Sequence, residues 1–120
     1  MTYDNANIFA KILRGEIPSK KIYEDDFVLA FHDVTPQAPV HALVIPKGIY
    51  TDQADFALRA SEAEIVGFER AVAKVARELG LSAAGYRIVA NMGVYGGQEV
   101  PHYHVHILGG KKLGPMLSKE

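Results

Sequence analysis

The segment His102-Tyr103-His104-Val105-His106-Ile107-Leu108 constrains this chain more than any other. Histidine recurs at every second position, and apolar or aromatic residues fill the places between and after. Successive side chains of an extended strand point to opposite faces. The pattern therefore predicts a strand with one face in a core and three imidazoles lined up on the other. Three of the five histidines in the chain sit in this one segment.

The residues on either side predict the elements that surround the strand. Ile8 to Gly15 reads as a short helix, capped by Asn5 or Asn7 and ended by Gly15, with Ile8, Ile12 and either Phe9 or Leu13 on its apolar stripe. Lys21–Glu24 and Phe27–Phe31 read as two strands joined through the turn pair Asp25-Asp26. A loop with two prolines, Asp33 to Pro39, leads to a third strand, His41–Ile45, stopped at Pro46-Lys47-Gly48. Residues 49 to 60 read as a polar connection with room for a helical turn. Ser61-Glu62-Ala63-Glu64 has the form of a capping box, and Ile65, Phe68, Val72, Val75, Ala76 and Leu79 then recur at helical spacing up to Gly80. Tyr86–Ala90 is a fourth strand. Asn91 to Val100 is a loop with glycines at 93, 96 and 97, the histidine strand follows, and Gly109-Gly110 ends it. The last ten residues read as a loosely held tail. Strands joined by short turns, with one long helix crossing over, predict a single α+β domain over residues 1–120, its sheet mainly antiparallel. Helices are expected on one face, leaving the histidine face open for chemistry.

Composition removes several classes of function. The net charge of −1 argues against an electrostatic nucleic-acid binder. The absence of cysteine excludes disulfides, a thiol nucleophile and thiolate metal sites. The polar stretch Met1 to Asn7 lacks the apolar core of a signal peptide, and no apolar run approaches the roughly 20 residues a membrane span needs. A cytoplasmic protein without membrane contact is expected.

Three chemistries compete for the histidines. They could simply line a solvated face. They could bind a metal, although alternate strand residues rise about 6.6 Å, so all three spread over about 13 Å and cannot share one ion with bonds near 2.1 Å. Two imidazoles would then need a further ligand such as His41 or an Asp. Or one imidazole could attack phosphorus and carry a nucleotidyl or phosphoryl group, while its neighbours bind phosphate oxygens or protonate a leaving group. With an ordinary pKa near 6.5, imidazole is largely neutral at pH 7. The glycines at 93, 96 and 97 permit a backbone cradle for an anion beside the histidines. That pairing favours the third reading.

The segment resembles the His-φ-His-φ-His-φ-φ signature of the histidine triad superfamily, where φ is apolar. Further blocks resemble its branch of histidine triad nucleotide-binding proteins: Ile8 to Ile12, Glu16-Ile17-Pro18, Tyr23 to Asp26, Ala30 to Asp33, Pro36 to His41, Leu43 to Lys47, Asn91-Met92-Gly93, Gly96 to Val100 and Leu108-Gly109-Gly110. The resemblance implies a HIT-like α+β fold: a mainly antiparallel five-stranded sheet, one long and one short helix, and a sheet extended across a homodimer. It implies a purine nucleoside phosphoramidase that needs no metal or cofactor and cleaves the P–N bond of AMP- or GMP-linked amines, aminoacyl adenylates included. His104 would be the nucleophile. His106 would contact the α-phosphate and assist the leaving amine, and His102, with His41 nearby, would orient His104. Asp33 would accept the ribose hydroxyls, although its residue-level alternative is a turn cap. Phe31, Val34, Ile8, Phe9 and Ile12 would enclose the base, and Asn91, Gly97, Glu99 and Val100 would line the phosphate and leaving-group region. His32, alternating away from Asp33, is expected outside the site. The alternatives are a dinucleoside polyphosphate hydrolase of the same superfamily and a nucleotide-binding regulatory module. Three departures from common patterns bear on the leaving group: Glu99 where many relatives carry serine, Pro101 where an aromatic residue is frequent, and a tail without tryptophan.

Overall fold

In the computed structural model, which describes residues 2–118, the long helix is built by the signals that predict it. Helix α3 runs Glu62–Glu78, 17 residues. The Ser61 side chain accepts from the Glu64 amide at 3.2 Å, and the Glu64 carboxylate accepts from the Ser61 amide at 3.0 Å, so two otherwise orphaned donors are satisfied. Its buried residues, Phe68, Ala71, Val72, Val75 and Ala76, keep the three- and four-residue spacing of one face. That face lies on a five-stranded, wholly antiparallel sheet of order β1-β2-β3-β5-β4. The strands are β1 (Lys21–Glu24), β2 (Val28–His32), β3 (Val40–Pro46), β4 (Arg87–Val89) and β5 (Val105–Gly109).

Alternation along the strands divides the apolar residues between two layers. Val28, Ala30, Ala42, Val44, Tyr103, Val105 and Ile107 meet α3 in the larger core. Leu29, Phe31, Leu43 and Ile45 point the other way. Helix α1 (Ile8–Leu13), capped by Asn7, covers that second face with Phe9, Ile12 and Leu13. The face opposite α3 is thus only partly open, because β2 and β3 carry apolar residues on both sides and each side must be covered.

Two short helices add to the predicted pair. Helix α2 (Gln53–Arg59) occupies the stretch read as a polar connection. Asp52 caps it by accepting from the Asp55 amide at 2.8 Å, and Arg59 returns to Asp55 at 2.7 Å. Phe56 is its one buried residue, and its ring centroid lies 5.0–5.2 Å from those of Tyr50, Phe68 and Tyr103. A single turn, α4 (Gly93–Gly96), sits inside the glycine loop. The tail is less loose than its sequence suggests, since Arg87 donates to the Gly114 carbonyl at 2.7 Å. Met1, Lys119 and Glu120, the outermost residues of the predicted domain, lie outside the described residues. No helix among the described residues is long and apolar enough to cross a membrane.

Candidate active site

The strand carrying the histidines is shorter than its alternation suggests. β5 begins at Val105, so only His106 lies in the ladder, opposite Leu43 on β3 and Val89 on β4. His102 and His104 lie on the segment that enters it. The alternation itself holds: Tyr103, Val105 and Ile107 are in the α3 core, and the imidazoles are on the other side.

The three imidazoles have unequal surroundings. His102 is buried, 1% exposed, behind the site. Its Nε2 lies 2.9 Å from the Pro46 carbonyl, and its Nδ1 lies 2.6 Å from the Tyr3 hydroxyl. His104 places Nδ1 2.8 Å from the carbonyl of His102, and the edge of the Phe9 ring packs on it at 4.9 Å between centroids. A carbonyl only accepts, so His104 carries its proton on Nδ1 and keeps a lone pair on Nε2. No buried side-chain nitrogen or oxygen among the described residues lacks a partner, and His104 Nε2 has none among those residues. It therefore opens to the cleft that the ring lines.

A second chain of bonds sets His106. The Gln37 amide donates to His41 Nδ1 at 3.0 Å, which leaves the proton of neutral His41 on Nε2. That Nε2–H faces His106 Nδ1 at 2.9 Å, so His106 holds its own proton on Nε2, again toward the cleft. One site thus offers a bare nitrogen on His104 and an N–H on His106, with ring centroids 5.1 Å apart. His41 is a partner of His106; it does not touch His104, as its expected role would require. The reason is register: His41 pairs with Leu108 on β5 and reaches the neighbouring His106.

Burial keeps all four rings neutral. Desolvation lowers the pKa of His41, His102 and His104, and brings His106, which also faces His104 and His41, down to about 4. Asp33 opposes the drop at His41, His104 and His106, and Glu99 opposes it at His104.

Asp33 caps the turn, as its residue-level reading expects, and also faces His41. Oδ1 accepts from the Thr35 amide at 2.8 Å and caps the turn, while Oδ2 lies 3.4 Å from His41 Nε2. Asp33, His41 and His106 offer ligand atoms within 4.8 Å of one another. That grouping, rather than two neighbouring triad histidines, is the set a divalent ion could use, and it would have to displace the proton shared by the two rings.

The cleft measures about 560 Å³, within the size range of small-molecule sites. Ile8, Phe9, Ile12, Phe31, Asp33 and Val34 line one part of it, with Val34 almost wholly exposed at the rim. His41, Asn91, Gly97, Glu99 and Val100 line it too, with His104 and His106; His102 is not among the lining residues. His32 also lines the cleft, contrary to expectation. The strand ends at His32 and the chain turns at Asp33, so the two no longer alternate. Ile17, Pro18 and Ser19 also line it; the Glu16-Ile17-Pro18 block marks the first two in the sequence without assigning them to the site, and Ser19 has no such mark.

The glycine loop differs in detail from an anion cradle. The amides of Gly93, Gly97 and Gln98 are used internally, bonded to the Gln98 side chain, Val94 and Gly93. Gln98 further ties the loop to the Thr51 carbonyl at 2.7 Å, and Asn91 holds Gly96 at 2.7 Å. Gly97, at φ +76°, needs glycine. The amides of Glu99 and Val100, two residues that line the cleft, have no acceptor among the described residues.

Residues 14–113 match the model of the HIT domain family, and the chain belongs to that family. It is 58% identical over 118 residues to an uncharacterized 13.2 kDa HIT-like protein of Azospirillum brasilense, covering 98% of this chain and 97% of that one. It is 45% identical over 111 residues to the purine nucleoside phosphoramidase of Escherichia coli K12, covering 92% of each. Among solved structures, a histidine triad protein from Clostridium difficile superposes with a TM-score of 0.85 at 46% identity, covering 97% of this chain and all of that one.

Proposed function

We propose that the protein is a cytoplasmic, homodimeric purine nucleoside phosphoramidase that hydrolyses AMP- or GMP-linked amines through a nucleotidyl-His104 intermediate. One observation carries this reading: the carbonyl of His102 holds His104 with its unprotonated Nε2 toward the cleft, beside the N–H of His106. The name of the Escherichia coli relative supports the choice of substrate.

The chemistry follows from the protons. The Nε2 lone pair of His104 bonds to the α-phosphorus as the P–N bond breaks, and the bonding pair leaves on the amine nitrogen. That nitrogen needs a proton. An anionic phosphate seated between the imidazoles raises their proton affinity, so the His41–His106 pair takes up one proton as substrate binds and passes it from His106 Nε2 to the amine. Water then attacks phosphorus, the bond to His104 breaks, the nucleoside monophosphate leaves, and the surplus proton of water returns to the pair. The Glu99 and Val100 amides would bind the phosphate oxygens, Asp33 Oδ2 the ribose, and Ile8, Phe9, Ile12, Phe31 and Val34 the base. No step calls for a metal.

The dimer would form at β4. Among the described residues that strand pairs only with β5, and its Ile88 is 51% exposed. An uncovered apolar edge strand is a template for a second copy.

The test is amine release from an AMP-amine with chelator present, together with mass analysis of acid-quenched protein. Release, an AMP adduct on His104 and loss of both in His104→Ala are expected. Tight nucleotide binding without release would reduce the protein to a binding module. Activity lost to chelator and restored by metal would move the chemistry to Asp33, His41 and His106.

A further inference from the structure

Tyr3 lies 99 residues from His102 in the chain and outside residues 14–113, which match the HIT family model. It nonetheless touches the histidine that holds the nucleophile. The Pro46 carbonyl accepts from His102 Nε2–H, so a neutral His102 presents a bare Nδ1, and the Tyr3 hydroxyl must donate to it. The Tyr3 oxygen in turn accepts from Asn7 Nδ2 at 2.9 Å. The rest of the Asn7 amide is also assigned: the second N–H of Nδ2 donates to the Asp4 carbonyl at 2.7 Å, and Oδ1 accepts from the Ala10 amide at 2.9 Å as the cap of α1. Every donor and acceptor along Asn7, Tyr3 and His102 is thereby oriented in one sense.

We propose that Tyr3 is a positioning residue for the reaction at His104: with Asn7 behind it, its hydroxyl pins the His102 ring between two partners, and the His102 carbonyl then holds His104 with Nε2 turned to the cleft. This rests on the reading of His104 as nucleophile. The helix that Asn7 caps also carries Phe9, whose ring packs on His104. The segment before the matched region therefore reaches the nucleophile from both sides, through the carbonyl that holds it and the ring that packs on it. Nothing in the latch touches substrate, so its loss should slow the bond-forming step and leave binding alone.

Two variants test it. Tyr3→Phe deletes one hydroxyl and keeps the ring. The expected result is a fall of about tenfold in the rate of His104 nucleotidylation, the size that one hydrogen bond supplies, with KM for an AMP-amine and affinity for AMP within about twofold of wild type. Asn7→Asp keeps the acceptor for the Ala10 amide but replaces the donor shared by Tyr3 and the Asp4 carbonyl with an acceptor. The hydroxyl proton then turns to the new carboxylate, the tyrosine oxygen presents a lone pair to His102 Nδ1, and His102 holds a proton to higher pH. Its ring nitrogen resonances should show a titration midpoint raised by about one unit or more. A normal nucleotidylation rate in Tyr3→Phe, or a His102 midpoint unmoved in Asn7→Asp, overturns the proposal. So does a parallel loss of rate, affinity and thermal stability in Tyr3→Phe, which marks a merely structural anchor. A wild-type protein that releases no amine overturns the proposed function, and the latch is then decided by the nitrogen resonances, which need no substrate.

Discussion

His104 Nδ1 sits 2.8 Å from the carbonyl oxygen of His102, two residues earlier, and that local bond decides which nitrogen of the ring carries the proton and which keeps a lone pair. Burial adds to it by keeping the ring neutral. Together they place a usable lone pair in the cleft without a neighbouring carboxylate to remove a proton first.

The pH dependence of turnover follows. A histidine at its ordinary pKa near 6.5 would lose nucleophile as pH falls toward 6. Desolvation lowers the His104 value. The acid limb of His104 nucleotidylation should therefore lie on the acid side of pH 6.5. Rapid-quench measurements from pH 7 downward check this; an acid limb centred near 6.5 would contradict it.

Stability shares the same sign. The unfolded chain binds a proton at His106 below about pH 6.5, and the folded protein does so only near 4. Between those values the unfolded state holds more protons, so this contribution is complete above 6.5 and is lost as pH falls through about 4. The loss is on the order of 3 kcal/mol at about 1.4 kcal/mol per pH unit. Comparing urea unfolding at pH 7 and pH 4.5 in wild type and His106→Gln measures it: the variant should lose about this much of the difference, the rest belonging to His41, His102 and His104.

His41→Ala removes the donor that faces His106 Nδ1 and admits water to the gap. Burial and His41 itself both lower the His106 pKa, so the variant should titrate His106 well above 4. A fall of about 10- to 100-fold in kcat is expected, the usual scale of a proton-transfer contribution, with nucleotide affinity largely kept. Histidine NMR titration and steady-state kinetics read the two effects separately.

Glu99 lines the cleft, and its charge is felt at His104. It should favour amines that carry a positive charge. AMP-lysine should be turned over faster than a neutral AMP-amide by wild type, and Glu99→Ser should narrow the ratio about tenfold. An unchanged ratio removes Glu99 from leaving-group selection.

Phe68 anchors α3 at 2% exposure, its ring centroid 5.0 Å from that of Tyr103. Phe68→Ala should cost about 3–5 kcal/mol in chemical denaturation. Val94→Ala, at a residue 93% exposed, should stay within about 0.5 kcal/mol.

Local signals made much of this fold legible. The Ser61–Glu64 box, the turn at Asp25 and the period of α3 each act over a few residues, so they can be read without knowing what packs against them. Helix α2 escaped because seven residues with one buried side chain, Phe56, show no period; its Asp52 cap and Asp55–Arg59 pair were the available signals. The histidine spacing marked the site, but not its inequality. The pairing of Gln37 with His41, and of His41 with His106, arises from loop and register geometry. Tyr3 on His102 spans nearly the whole chain, and no local pattern encodes such a contact.

The alternation around β5 also limits how the chain can change. Tyr103, Val105 and Ile107 fill the core, while His104 and His106 on the same short run serve the cleft. A slip of one residue would exchange the two sets, placing imidazoles in the core and core side chains in the site. A one-residue insertion or deletion between His102 and Ile107 would therefore damage folding and chemistry together, whereas length changes at the tip of the preceding loop, around the exposed Val94 and Tyr95, could be absorbed before they reach the strand.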